Sequence, residues 1–274
     1  MIARFQPIAR CEGAAGSEIS EMVVGDACVW RGSALNDELM ILDPIATVHS
    51  CFGGKFAVPR QPGLCPSAWG RLVFQPAYRS PEAVRGLEGF SHLWLIFGFH
   101  ETQNQGWKPT VRPPRLGGNQ RVGVFASRST FRPNGLGLSL VKLEGIDTRA
   151  GDSPVLLLGG LDLLDGTPVY DVKPYLAYAE AVPEATAGFA EDSIPRLPVE
   201  LEATAVEAFK RLPKRAQAVL LEALSLDPRP ATQVTALTRV FGAALCGCNV
   251  RFTIREGICR ILQIEAAQAS GLNA

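Results

Sequence analysis

Long hydrophobic runs are missing from this 274-residue sequence. No stretch approaches the roughly 18 apolar residues that a membrane-spanning helix needs. Residues 1–16 carry Arg4 and Arg10 but lack the continuous apolar segment of a secretory signal. Histidine is scarce, at three residues, and no Ser/His/Asp or Cys/His spacing stands out, so nucleophilic hydrolysis has no positive support. No Gly-x-Gly-x-x-Gly follows a strand-like run and no Walker-type lysine loop occurs, which argues against a Rossmann or P-loop nucleotide site. The seven cysteines, Cys11, Cys28, Cys51, Cys65, Cys246, Cys248 and Cys259, are odd in number and lack framework spacing. They are expected to be reduced thiols, which places the protein in the cytoplasm. Zinc binding by Cys246, Cys248 and Cys259 would have three sulfur ligands and no nearby histidine, short of a closed tetrahedral set, and no metal is expected.

What is present is an ordinary globular composition, 47% apolar and 20% charged, with enough chain to bury a sizeable core. Twenty-seven basic and twenty-seven acidic residues cancel overall, but they are not evenly spread. Residues 51–145 hold twelve Lys/Arg against Glu82, Glu88, Glu101 and Glu144, a net +8 balanced by −8 elsewhere. Nine of the twelve are arginine. A guanidinium grips phosphate or carboxylate through two parallel hydrogen bonds, so this segment expects an anionic partner.

Short strand signals dominate the first two thirds of the chain. Residues 38–49 read as a strand around a turn at Asp43-Pro44. Residues 91–100 are apolar at nearly every position, as expected of a strand buried on both faces. Further strands are expected at 121–127, 137–146, 155–161 and 168–173, separated by Gly, Pro and Asp turns without helical spacers. Residues 1–37 read as an irregular extension or an added strand, with one apolar stretch at 22–24. After a Pro-containing linker at 179–198, helical spacing appears in Leu201, Ala205, Ala208, Phe209 and Leu212, and again in Ala216, Val219, Leu220, Ala223 and Leu224. Alternating residues from 235 to 264 then predict a three-stranded meander. The expected architecture is mainly β: an N-terminal extension (1–37), a β-barrel domain (38–180) and a small α/β C-terminal domain (199–268).

Polar clusters interrupt the apolar strand region: Pro59-Arg-Gln-Pro-Gly63, Arg112-Pro-Pro-Arg-Leu-Gly-Gly-Asn119, Ser127-Arg-Ser-Thr-Phe-Arg-Pro-Asn134, and a fourth at 162–175 that combines Asp162, Asp165 and Asp171 with Lys173. Any one alone is ordinary turn chemistry. Together with Phe56-Ala-Val-Pro59, Val84-Arg-Gly-Leu-Glu88, Phe90-Ser-His-Leu-Trp94, Gly123-Val-Phe-Ala126 and Asp165-Gly-Thr-Pro-Val169, they resemble the signature of the tRNA N6-threonylcarbamoyladenosine (t6A) methyltransferase family, TrmO or TsaA-like, in order and spacing. The resemblance covers residues 40–180, and Leu226-Asp-Pro-Arg-Pro230 resembles the family's C-terminal domain more weakly.

The resemblance implies a TsaA-like β-barrel methyltransferase that uses S-adenosyl-L-methionine (SAM), works as a homodimer, and methylates N6 of t6A beside the anticodon of tRNA. It implies cofactor contacts by Pro59, Arg60, Gln61, His100, Glu101, Arg128, Leu138, Leu163, Leu164, Asp165 and Gly166. Arg128 suits the cofactor carboxylate, and Asp165 a hydroxyl or the ammonium. Arg115, Arg132 and Lys173 are the substrate-binding candidates. Asp171, Tyr175 and His100 are the candidates to take up the N6 proton, with water as the alternative. The chain departs from the family pattern at Glu101, where glutamine is usual, and at Gly135-Leu136, where Pro-Ile is usual. Two other readings share the fold: a tRNA-binding module that has lost catalysis, and a methyltransferase acting on another anionic substrate.

Overall fold

The computed structural model describes residues 28–31, 39–149, 151–229 and 239–266. Strands β1 (Cys28–Arg31) and β2 (Leu39–Leu42) pair antiparallel, with Cys28 opposite Leu42. Part of the expected extension is therefore an added strand, while the apolar stretch at 22–24 lies outside the described residues. The single strand expected over 38–49 is two, because Asp43-Pro44 stops the first and the chain restarts as β3 (Ala46–Ser50). These first strands fall in one compact unit (Met1–Asp43) and the rest of the chain in another (Pro44–Ala274).

In the larger unit β3 is followed by β4 (Trp69–Phe74), β5 (His92–Gly98), the short β6 (Thr110–Val111) and β7 (Val122–Gly123), β8 (Leu136–Asp147), β9 (Val155–Gly159) and β10 (Thr167–Pro174). Six of them close into an antiparallel barrel in the order β10-β3-β4-β9-β8-β5. Closure removes the exposed edges that an open sheet of short strands would present. The interior is filled by alternate residues such as Val48, Leu72, Leu93, Leu95, Val141, Leu156 and Val169, which are inaccessible to solvent. β5 departs from its expected burial on both faces. Leu93, Leu95 and Phe97 point inward, while His92, Trp94 and Ile96 lie half-buried on the outside. The strand expected at 121–127 is only β7, because the chain turns into a 3-10 helix at Val124–Ala126.

A second sheet follows the short α1 (Ala177–Glu180). It is built from β11 (Val199–Leu201), β12 (Phe241–Leu245), β13 (Cys248–Arg255) and β14 (Ile258–Ala266), with helices α2 (Ala203–Arg211) and α3 (Lys214–Ser225) between β11 and β12. The expected meander β12-β13-β14 gains β11 as a fourth strand, parallel to β14. Barrel and sheet share one core. Just past β3, Phe52 pairs with Leu245 of β12, flanked by Gly53 N–H donating to Ala244 O at 3.1 Å and Cys246 N–H donating to Cys51 O at 2.7 Å. Phe56, Phe241 and Phe252 stack beside this junction. On α3, the Arg215 guanidinium grips both Glu144 oxygens at 2.7 and 2.8 Å and sits over the Trp69 ring.

Candidate functional site

Strand direction brings the polar clusters together. β3, β5 and β9 end, and β4, β8 and β10 begin, at one rim of the barrel, as the pairs Ser50/Gly70, Gly98/Leu136, Trp69/Gly159 and Thr167/Val48 show. The segments 51–68, 99–135 and 160–166 therefore emerge side by side at that rim. Alternating antiparallel strands make this unavoidable once the register is set.

Each segment is fixed by its own bonds. Asp165 Oδ1 accepts the Ser50 N–H at 2.9 Å, and His49 Nδ1 lies 3.5 Å from the same oxygen. The Ser50 hydroxyl donates to Leu163 O at 2.7 Å, and Gly166 N–H to Val48 O at 2.9 Å. Gly166 has φ +79°, which its lack of a Cβ permits. The turn 163–166 is thus riveted to β3. Leu163 is buried in the core and offers the rim only its backbone, whereas Leu164, Asp165 and Gly166 reach solvent.

The long segment 99–135 is organised by β6 and β7 and by Arg132, whose Nη1 donates to Ser127 O at 2.9 Å and Val124 O at 3.3 Å. Those bonds commit Arg132 largely to its own loop, and its guanidinium also faces the exposed Phe125 ring at 5.8 Å. Arg128, beside it, donates to the Gln61 side chain of segment 51–68. Lys55 makes a second tie, to the Glu101 carboxylate and to the Glu101 carbonyl, both at 2.9 Å. The hydrogen bond and charge of Lys55 hold the Glu101 carboxyl below its usual range. The glutamate thus serves a clamp between segments that the sequence did not reveal.

Arg60 reaches from the same segment to the carbonyl of Arg229 at 3.4 Å. Arg229 is itself buried and held by Asp227 through Nε at 2.8 Å and Nη2 at 2.7 Å. Packing around the Arg60 guanidinium disfavours its charge; Asp227 opposes that effect, and the like charge of Arg115 adds to it. The charge of Arg115, from a separate sequence cluster, thus acts on Arg60, an effect that a bound anion would relieve. Pro59 is buried, and His100, half-buried, follows β5 at the same rim.

The remaining candidates are spread down the barrel's outer surface. Leu138 is 57% exposed and sits opposite Ile96, whose other neighbour is Asp171 on β10. Lys173 pairs with Trp94, and Tyr175 donates its N–H to His92 O at the start of β5. Six residue steps along the strand separate His92 from Gly98, so Tyr175 and Lys173 lie toward the far end, about 20 Å from the rim for Tyr175. Of the three proton-acceptor candidates, only His100 is on the rim itself. Sequence reasoning passed over Asp162, although it quoted the cluster containing it. Asp162 Oδ1 accepts the hydroxyl of the fully buried Ser139 at 2.5 Å, and burial lifts its carboxyl to about 6 against the lowering effects of Ser139 and Arg128.

Cys51, Cys65, Cys246, Cys248 and Cys259 are free thiols. Cys248 pairs with Ala266 and Cys259 with Ile254, six residues further along β13, so these two are about 20 Å apart and cannot share a metal. No described helix is long and apolar enough to cross a membrane.

Comparison with known proteins follows the same two-part division. Residues 47–181 match the tRNA-methyltransferase O N-terminal domain and residues 194–267 the TrmO C-terminal domain. The chain is 46% identical over 229 residues to the tRNA (adenine(37)-N6)-methyltransferase of Escherichia coli K12, covering 81% of this chain and 97% of that protein. It is 44% identical over 228 residues to a putative S-adenosylmethionine-dependent methyltransferase, RcsF, of Pseudomonas aeruginosa, at 81% and 96% coverage. A crystal structure of TrmO from Pseudomonas aeruginosa superposes with a TM-score of 0.67 at 37% identity, covering 82% of this chain and 97% of that one. With both domains matched in order and nearly the full length of these relatives spanned, the chain belongs to the TrmO family.

Proposed function

We propose that the chain is a SAM-dependent tRNA methyltransferase that methylates N6 of adenosine 37, with t6A as the acceptor base, so that t6A37 becomes m6t6A37. The observation that carries this reading is the convergence of Arg60, Gln61, His100, Glu101, Arg128 and the 163–166 turn at one barrel rim, in a chain similar to tRNA (adenine(37)-N6)-methyltransferases along both domains. The barrel, from β3 to β10, carries the cofactor, and the C-terminal sheet with its helices supports it through Arg229 and Arg215. A homodimer in the cytoplasm completes the reading, in keeping with the exposed Leu138 on the barrel's outer face and with the free thiols.

The rim suits SAM chemically. Arg128 provides guanidinium N–H groups for a carboxylate, Asp165 and the 163–166 backbone provide acceptors for hydroxyls or an ammonium, and Leu138 and Leu164 provide apolar surface for an adenine. When bound, SAM supplies an activated methyl group. The protein's own task is then to hold the acceptor nitrogen in line, exclude water and take up one proton. Of the candidate acceptors, His100 is favoured because it follows β5 at the rim, while Asp171 borders the Leu138 and Ile96 row. Arg115 is exposed, whereas Arg132 is bonded to its own loop, so Arg115 is the better candidate to receive an anionic group of the substrate.

The cofactor assignment is tested by calorimetric titration with SAM. One site per subunit is expected, and Arg128→Ala is expected to weaken binding by about 2 kcal/mol, roughly thirtyfold. An unchanged titration would remove Arg128 from the site.

A further inference from the structure

Segment 99–135 carries six cations, Lys108, Arg112, Arg115, Arg121, Arg128 and Arg132, against Glu101 alone, whose charge Lys55 already meets. None of its five arginines forms an ion pair with a carboxylate among the described residues. Out of this cationic segment stands Phe125, 74% exposed. A single exposed apolar residue is ordinary on a protein surface, but the footing of this one is not. Phe125 is the middle residue of the 3-10 turn Val124–Ala126, and the residue before it is anchored on every side. Val124 is buried, and its N–H donates to Pro109 O at 3.0 Å. Its carbonyl accepts the Ser127 N–H at 3.2 Å, the Ser127 hydroxyl at 2.9 Å and Arg132 Nη1 at 3.3 Å. The phenyl ring is thus held away from the core by a fixed turn, with the Arg132 guanidinium 5.8 Å from its centroid. Phe125 precedes Arg128 by three residues, so their Cα atoms are no more than about 11 Å apart.

A flat ring presented rigidly among cations that lack carboxylate partners matches an unpaired stretch of nucleic acid, whose phosphates meet the cations while an unstacked base meets the ring. We propose that Phe125 is a stacking platform for a base of the tRNA anticodon loop beside adenosine 37, with Arg132 bracing the turn and exposed neighbours such as Arg112 receiving phosphates. The inference rests on the tRNA reading above and names a residue that holds the loop rather than the cofactor. Every base has a π-face, so the contact positions the loop without selecting its sequence. Selection of the acceptor is left to the groups at the barrel rim.

The experiment measures binding of tRNA from cells with an intact threonylcarbamoylation pathway, over a range of salt, for the wild-type protein, Phe125→Ala, Phe125→Leu, Phe125→Trp and Arg112→Ala. SAM calorimetry, sedimentation and methyl-transfer kinetics are run on the same proteins. Phe125→Ala is expected to bind tRNA about tenfold more weakly at every salt concentration, with the salt slope unchanged because no charge is lost. KM for tRNA should rise by a similar factor with kcat little changed, and SAM affinity should stay at the wild-type value. Phe125→Trp is expected to bind like wild type and Phe125→Leu like Phe125→Ala, since stacking needs a ring. Arg112→Ala should show the converse signature, a salt slope smaller by about one. The inference is overturned if Phe125→Ala binds tRNA as wild type does, or if Phe125→Leu binds as well as phenylalanine. It is equally overturned if Phe125→Ala loses SAM affinity or changes the oligomeric state, because the ring would then belong to the cofactor site or to a contact with a second copy of the chain. A wild-type protein that binds SAM but holds this tRNA no better than a DNA duplex removes the tRNA reading itself, and the inference with it.

Discussion

Transfer RNA that carries the threonylcarbamoyl group at adenosine 37 is expected to accept methyl groups at least roughly a thousandfold faster than the same tRNA lacking it. Two effects act in the same direction. Joining N6 to a carbonyl makes its proton more acidic than that of a plain adenine amine, so a modest base such as a histidine can take it up. The threonyl carboxylate also places an anion near the reacting nitrogen. The charge of Arg115 adds to the burial that disfavours the charge of Arg60, and an anion received by Arg115 would offset that repulsion. An unmodified base leaves the pair unrelieved, and sites shaped for a polar partner reject analogues lacking it by large factors. The assay is methyl transfer to tRNA purified from cells with and without the threonylcarbamoylation pathway. Equal rates would end the substrate assignment while leaving methyltransferase activity standing.

Phe52→Ala is expected to destabilise the protein by about 3–5 kcal/mol, the cost of a large cavity that its surroundings fill only in part. Phe52 is wholly buried and lies where the barrel meets the second sheet, opposite Leu245, between the backbone bonds of Gly53 and Cys246. Its loss is therefore felt on both sides of the junction. For a unit of this size that corresponds to a melting point lower by roughly 10 °C, still in a single transition because the core is shared. A shift under about 2 °C, or two separated transitions in the wild-type protein, would show that the two parts do not depend on this contact.

Much of the barrel was legible because its strands are short, apolar and punctuated by turn residues, as β8, β9 and β10 show. β4 was not. Its inward positions are Gly70, Leu72 and Phe74, and a glycine in the apolar register breaks the alternation by which a strand is recognised. The structure requires that glycine, since a Cβ there would lie 2.7 Å from the His49 carbonyl oxygen. The opposite error occurred at 121–127, where Val122, Val124 and Ala126 alternate as in a strand but Ser127 N–H bonds back to Val124 O and closes a tight turn. Local periodicity cannot register that bond.

The site was legible as residue clusters and through a family resemblance, not as a surface. Lys55 and Glu101, Arg128 and Gln61, and Arg60 and Arg229 meet across 46, 67 and 169 residues of chain, and only the barrel register brings them to one rim. Asp162 escaped notice for a related reason. Its significance lies in Ser139, a residue that from sequence alone is an ordinary polar position in a strand, and whose burial appears only when the barrel closes.

The central claim is tested most directly by mass spectrometry of tRNA nucleosides from a strain lacking this chain, before and after its reintroduction. The account predicts that N6-methylated t6A is absent without the chain, that unmethylated t6A accumulates in its place, and that the wild-type chain restores the methylated nucleoside while Arg128→Ala restores it poorly. Unchanged levels of N6-methylated t6A in the strain without the chain would contradict it.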